Sequence, residues 1–310
     1  MVGGYLAEAQ GEPKAVAEAI RDHYKPVGQG DDVPTAPVTV AVALADKVDS
    51  LVGFFQFDEK PTGSKDPFAL RRAALGLLSL IIENELRVSM RDLITAAAHK
   101  GGANAGRDIA TFLIDRLKVQ QRDAGIGHDL IDAVVAVETG GDNVRMVRRV
   151  KALQSFVATE DGTNLLVAYK RAANILKKEG WVGHQVMSSA DEDGIPQTGE
   201  EDPFSLVDDP ILKDAIAEMA MGEAGADLPQ QKALIAALDK AEPLAAAAVD
   251  KEDFTGAMGA LASLRKPIDE FFDHVTVNDP DPAKREHRLN LLLRFRDAVN
   301  QVADFSKIEG

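Results

Sequence analysis

The chain has 310 residues, of which 45% are hydrophobic and 27% charged, and its formal net charge is −15. This composition is that of an ordinary globular protein, and the length suffices for two or three domains. The sequence contains no cysteine, which excludes disulfide scaffolds, thiolate zinc sites and cysteine nucleophiles. No apolar run approaches the roughly 20 residues that cross a bilayer, and no signal-peptide pattern follows Met1. We therefore expect a cytoplasmic protein without a membrane partner.

Apolar residues recur at three- and four-residue spacing along most of the chain, whereas the alternating pattern of strands is almost absent. Seven such segments end at breaks rich in glycine or proline. They are residues 13–24, 38–55, 67–86, 104–124, 129–137, 144–157 and 163–179. Five more follow, at residues 211–221, 228–249, 253–261, 265–274 and 282–306. The sequence therefore predicts an all-α protein.

Changes in composition indicate where the helices divide into domains. The periodic pattern breaks at Lys100-Gly101-Gly102. Residues 188–204 are acidic, poor in apolar residues and rich in Gly, Pro, Ser and Thr, which is typical of an exposed linker. We predict a helical domain at 1–102, a helical middle region at 103–187, an acidic linker or insertion at 188–204, and a helical bundle at 205–310.

Charge is spread unevenly along the chain. Residues 145–178 carry eight basic and two acidic side chains, a net +6, whereas residues 183–260 carry a net −13. A uniformly acidic surface repels a polyanion, but a local basic face can still bind RNA. Spacing of i, i+3 and i+4 on a helix places residues on one face. The candidate RNA contacts are Arg145, Arg148 and Arg149 on one helix and Lys170, Arg171 and Lys177 on the next. The alternative is a solvated charged face.

A second basic group lies at the predicted start of the helix at residues 67–86. Asp66 is a suitable N-cap and Pro67 suits the first helical position. Lys65, Arg71 and Arg72 would then surround a helix N-terminus, where an RNA phosphate or a partner subunit could bind. Gly63-Ser64-Lys65 is not a Walker loop, because that motif requires a second glycine and a preceding strand.

Several segments of the sequence resemble one protein family. Residues 44–55 read Leu-Ala-Asp-Lys-Val-Asp-Ser-Leu-Val-Gly-Phe-Phe, and residues 61–72 read Pro-Thr-Gly-Ser-Lys-Asp-Pro-Phe-Ala-Leu-Arg-Arg. Further matching blocks are His23-Tyr24-Lys25-Pro26 and residues 112–117, 129–134, 170–176 and 271–275. In this order the blocks resemble the β subunit of the bacterial two-subunit glycyl-tRNA synthetase, over nearly the whole chain.

The resemblance implies the C-terminal portion of such a β subunit, with the remainder of an HD-like domain followed by a DALR-type anticodon-binding bundle. It implies that the chain positions tRNA(Gly) for ATP-dependent aminoacylation at the α subunit of an α2β2 tetramer. ATP and Mg²⁺ would bind at the α subunit, so we expect no cofactor and no catalytic residue in this chain. DNA is not expected as a partner.

Asp46 lies where the resemblance places the trailing aspartate of the HD metal-binding pattern. No adjacent His-Asp pair precedes it, and the only earlier histidine is His23. A single carboxylate cannot supply the ligands that a divalent cation requires. We therefore interpret Asp46 as a degenerate position without metal, in which Asp46 and Asp49 pair with Lys47, Arg71 or a helix end. A stand-alone HD-type metal-dependent phosphohydrolase remains an alternative.

The C-terminal bundle contributes the last candidates. Single-stranded RNA loops are bound by stacking on aromatic rings and by hydrogen bonds from Arg or Asn. Most of Phe271, Phe272, Phe295 and Phe305 are expected in the core. We therefore predict that tRNA contacts come from Arg288, Asn290 and Arg294. A helical scaffold that contacts only protein is the third possibility.

Overall fold

The computed structural model describes residues 2–28, 30–98, 105–138, 140–181 and 227–309. Within these ranges the regular structure is helical, and the β features are two isolated bridges, Thr62 with Lys65 and Ser89 with Asp142. The all-α prediction is confirmed. In the same ranges, none of the helices combines the length and apolarity that a membrane span requires.

The described ranges contain thirteen α-helices. In chain order they are α1 Val2–Ala9, α2 Lys14–Asp22, α3 Pro37–Gln56, α4 Leu70–Glu83, α5 Met90–Ala97, α6 Ala105–Asp123, α7 His128–Val135, α8 Asn143–Val157, α9 Glu160–Lys178, α10 Pro229–Asp250, α11 Phe254–Ala262, α12 Arg265–His274 and α13 Pro282–Asn300. A 3₁₀ turn, Phe305–Lys307, follows α13.

The chain divides into two compact units. Unit 1 comprises residues 1–154 with 309–310, and unit 2 comprises residues 155–308. The domain boundaries predicted after residues 102, 187 and 204 lie outside the described residues, as do the acidic segment 188–204 and the predicted helix 211–221.

The core of unit 1 forms around α3, which packs against α2, α4, α5 and α6. Its buried residues include Leu51, Phe55, Leu77, Ile109 and Leu113. Each buried side chain of this size stabilises the fold by about 1.5–3 kcal/mol through removal of apolar surface from water. Because α6 also packs on α4, helices on both sides of residues 99–104 share one core.

The start of α4 differs from the prediction. The helix begins at Leu70, after Ala69 in the left-handed region with φ 55°, so Pro67 is not its first residue. Asp66 still caps the helix, because its carboxylate accepts hydrogen bonds from the backbone N–H groups of Leu70 at 2.8 Å and Arg71 at 2.9 Å. The cap is thus separated from the helix by three residues.

Unit 2 is a bundle in which α10 packs against α11, α12 and α13, and α9 packs against α12 and α13. Tyr169, Phe271, Phe295 and Phe305 are all buried. The Tyr169 and Phe305 rings lie 5.6 Å apart, at a tilted angle. The expectation that the phenylalanines of this bundle belong to the core is confirmed, and they are not available to stack on RNA bases.

Candidate nucleic-acid interface

The turn before α4 and the first residues of α4 hold three of the predicted contacts, which have different roles. The Arg71 guanidinium donates a 2.6 Å hydrogen bond to the carbonyl oxygen of Gly63, and the backbone of Thr62 pairs with that of Lys65. Arg71 therefore stabilises the turn. Lys65 and Arg72 are exposed, and within the described ranges their side chains have no partner. At this end of α4, these two side chains are therefore available to bind an anion.

Lys47 on α3 is buried. It is 4% exposed, and its Nζ donates to the carbonyl oxygens of His23 and Tyr24, both at 3.2 Å. Burial lowers the pKa of Lys47, and the negative charge of Asp46 opposes that shift in part. Asp46 and Asp49 are exposed. Among the described residues no three His, Cys, Asp or Glu side chains are grouped to hold a metal ion.

The arginines of α8 do not form one exposed face. Arg149 is 3% exposed, and it shares the buried Glu138 carboxylate with Arg145: each donates to Oε2 at 3.2 Å. Burial lowers the pKa of Arg149, and the charge and hydrogen bond of Glu138 act in the opposite direction. The interpretation of Arg149 as a surface RNA contact is corrected, because its guanidinium lies inside unit 1.

Arg148 is the outward-facing arginine of α8. Its Nη2 donates to Glu85 at 2.9 Å, and the two side chains are 44% and 69% exposed. An exposed ion pair of this kind contributes little stability. A phosphate could therefore displace Glu85 at small cost, and Arg148 stays a predicted contact.

Helix α9 places its basic residues differently from α8. Lys170 is half-buried. The Arg171 guanidinium lies 4.2 Å from the centroid of the Phe272 ring and donates to the Phe272 carbonyl oxygen at 3.4 Å. Lys177 lies in the last turn with Lys178, which belongs to the same basic cluster of the sequence; both are exposed, and no partner of either side chain lies within the described ranges.

Arg288 on α13 is a structural residue. It is 3% exposed, and its guanidinium donates to the Thr276 carbonyl oxygen at 2.7 Å, to Asp279 at 2.6 Å and to Asp227 at 3.2 Å. Hydrogen bonds from Lys284, and next from Arg288, hold the pKa of Asp227 below its ordinary value. The prediction that Arg288 contacts tRNA is corrected, because its donors are directed inward to these oxygens.

Asn290 and Arg294 also make intramolecular contacts. The Asn290 side-chain oxygen accepts a 3.0 Å hydrogen bond from the Trp181 indole N–H. Arg294 binds Glu242 through two donors, at 2.9 and 2.6 Å, and Asp239 at 2.6 Å. These contacts join α13 to α10 and to Trp181, the third residue after α9, so both side chains are engaged before any RNA could bind.

Comparison with known proteins identifies the family. Residues 1–136 match the family model described as Glycyl-tRNA synthetase beta subunit. Residues 165–309 match the model described as DALR anticodon binding domain. A protein named glycine–tRNA ligase β subunit from Rhodospirillum centenum is 49% identical over 314 aligned residues that include the whole chain. The chain belongs to the glycyl-tRNA synthetase β-subunit family.

Two further relatives of the glycyl-tRNA synthetase β-subunit family also align with the whole chain. Proteins named glycine–tRNA ligase β subunit from Paracoccus denitrificans and a Ruegeria species are 46% and 44% identical, each over 310 aligned residues. In all three comparisons the alignment covers the whole chain and 40% of the relative. The chain thus spans about two fifths of the length of these relatives.

The bounds of the family match show which candidate residues lie inside the anticodon-binding region. The DALR match begins at residue 165, whereas we predicted the anticodon-binding bundle from residue 205, so the match includes α9 and its lysines. Within this glycyl-tRNA synthetase β-family chain, Lys65, Arg72, Lys177 and Lys178 are exposed and have no side-chain partner in the described ranges. They define what we call the open cations.

Proposed function

We propose that this chain is the tRNA-binding portion of a glycine–tRNA ligase β subunit, and that the open cations contact the phosphates of tRNA(Gly). The observation that carries the proposal is the exposure of Lys177 and Lys178 at the end of α9, inside the region that matches an anticodon-binding domain. The charge of a lysine without a carboxylate partner is not already engaged, so the side chain is available to a phosphate.

The proposed contribution to aminoacylation is positioning. The α subunit of an α2β2 tetramer would bind ATP and Mg²⁺ and join glycine to the tRNA in the cytoplasm, and this chain would hold neither of them as a cofactor of that reaction. Correct orientation of reacting groups can lower a barrier by up to about 7–11 kcal/mol. Loss of the tRNA contacts could therefore abolish aminoacylation although no catalytic residue of this chain is removed.

Charge reversal of two open cations tests whether they contact tRNA(Gly). Affinity of the full chain for tRNA(Gly) is measured by fluorescence anisotropy at several salt concentrations, for the wild type and for Lys177→Glu with Lys178→Glu. Each lost phosphate contact reduces the slope of log affinity against log salt by about 0.7–0.9. The double variant should therefore bind more weakly and show a smaller slope. The matched control is Lys240→Glu, which reverses the charge of an exposed lysine on α10.

The rival functions give different results in the same samples. A scaffold that contacts only protein would not bind tRNA(Gly) at any salt concentration. An HD-type phosphohydrolase would release phosphate from a phosphate ester with a divalent cation, and Asp46→Ala would abolish that release. Equal tRNA(Gly) affinity and equal salt slopes for the wild type and the Lys177, Lys178 double variant would refute the proposed contacts.

A further inference from the structure

Unit 1 contains a cavity of about 460 Å³ between α5, α6 and α8. Sites for small molecules in proteins have volumes of roughly 300–1,000 Å³ and mostly apolar walls with a few polar groups. The wall here includes Met90, Ile94, Leu113 and Met146, all buried. Asp46 does not line the cavity, so it is separate from the degenerate HD position. The cavity can accommodate a flat ring together with its substituents.

Asn143 is a polar residue of the cavity wall. It is 8% exposed and lines the cavity, and no described residue forms a hydrogen bond with its side-chain amide. The amide offers one acceptor oxygen and an NH₂ donor side by side. The edge of a nucleobase presents the complementary pair of groups.

Two arginines supply charge at the same cavity. Arg91 at the start of α5 and Arg107 at the start of α6 line it, and both are exposed. Neither side chain has a partner in the part of the chain that the structure describes. Guanidinium groups bind phosphate oxygens through two parallel donors. The arrangement therefore places phosphate-binding groups beside an apolar wall.

The remaining charges around the cavity do not cancel those of the arginines. Glu138 also lines it, but its carboxylate accepts hydrogen bonds from Arg145 and Arg149, both at 3.2 Å. Met90 and Asn143 are the first residues of α5 and α8, and the N-terminal end of a helix carries partial positive charge. The electrostatic environment thus favours an anion.

We propose that this cavity binds a nucleotide, with the base against the apolar wall and the Asn143 amide, and the phosphate at Arg91 and Arg107. A free mononucleotide and one nucleotide of an RNA strand share this chemistry. The proposal does not depend on the function proposed for the open cations, because it arises from a separate set of residues, none of which is an open cation.

The test measures binding of ligands to the full 310-residue chain by isothermal titration calorimetry. The ligands are AMP, GMP, CMP and UMP, the four nucleosides, inorganic phosphate and a single-stranded RNA trinucleotide. We expect Arg91→Gln with Arg107→Gln to weaken nucleotide binding by about 10-fold or more, because hydrogen bonds to a charged group are lost. Nucleoside affinity should not change in that variant. Asn143→Leu should reduce the differences in affinity among the four bases.

The matched control is Arg122→Gln, which removes the charge of an exposed arginine on α6 that does not line the cavity; it should bind nucleotides like the wild type. Tighter binding of the trinucleotide than of any mononucleotide, lost in the arginine variant, would assign the site to an RNA strand. Equal affinities would assign it to free nucleotides.

The proposal is overturned if no nucleotide or trinucleotide binds at millimolar concentration, or if binding is unchanged in the Arg91, Arg107 variant. Because both arginines are exposed, that variant should fold, and its circular dichroism spectrum verifies this. Nucleotide binding is compared with tRNA binding in the Lys177→Glu, Lys178→Glu variant. If only tRNA affinity falls there, the two sites are separate, and each proposal stands or fails by its own measurement.

Discussion

Replacement of Arg288 by alanine should destabilise unit 2 by about 3 kcal/mol, near the lower end of the range for breaking a buried ion pair. The lower end applies because the carboxylates left behind, Asp227 and Asp279, have side chains that are 32% and 23% exposed and can be rehydrated. The Arg288 side chain itself is 4% exposed, so its removal also leaves a cavity and an unpaired Thr276 carbonyl oxygen.

Urea unfolding measured by tryptophan fluorescence tests this expectation. The sequence contains one tryptophan, Trp181, and its indole donates to Asn290 on α13, so the signal reports on unit 2. The control is Arg296→Ala, since that arginine pairs with the exposed neighbour Asp297 and should change stability by less than about 1 kcal/mol. Equal midpoints for the Arg288 and Arg296 variants would show that the buried network does not stabilise the bundle.

Replacement of Glu138 by alanine should destabilise unit 1 by about 3–5 kcal/mol, since the substitution removes the negative partner of a buried cation. The Glu138 and Arg149 side chains are 6% and 3% exposed, so the charge that stays on Arg149 is poorly hydrated. The full range applies here, in contrast to Arg288, because the charge that remains is the buried one.

Far-UV circular dichroism during urea unfolding measures this effect. Glu85→Ala is the matched control: it also removes the acidic partner of an α8 arginine, but that Arg148–Glu85 pair is exposed and should contribute less than about 1 kcal/mol. If Glu138→Ala unfolds at the same urea concentration as Glu85→Ala, burial of the pair has no energetic consequence, and the explanation given for Arg149 is wrong.

Helical periodicity was enough to predict most of the fold, and two helices show where it was insufficient. α1 has eight residues, two of them glycine, and glycine disfavours helix. α1 packs closely on α2 at Gly4, where a Cβ atom would be only 2.9 Å from the Ala17 carbonyl oxygen, and this packing stabilises the helix. α5 is equally short and relies on the Ser89 hydroxyl, which accepts from the Asp92 N–H. Tertiary contact and capping stabilise these helices, and neither produces a long periodic pattern.

The candidate site was less predictable because counting charges does not reveal their partners. The carboxylates that engage the arginines lie far away in the sequence: Glu85 binds Arg148 from 63 positions away, and Asp227 binds Arg288 from 61. In a chain with 50 acidic and 35 basic residues, most arginines of the bundle acquire such a partner. Lys65 and Lys177, which were predicted to contact tRNA, are exposed, whereas the burial of Arg149 and Arg288 required the packing of the helices to be known.

Lysine footprinting in the presence of tRNA(Gly) tests the central claim most directly, which is that exposed cations and not buried arginines contact the RNA. Lysines of the full chain are modified with an amine-reactive ester, with and without saturating tRNA(Gly), and quantified by mass spectrometry. The buried Lys47 should react poorly in both samples and serves as the internal control. We expect Lys65, Lys177 and Lys178 to become protected when tRNA(Gly) binds. Unchanged reactivity of all three at full tRNA occupancy would contradict the claim.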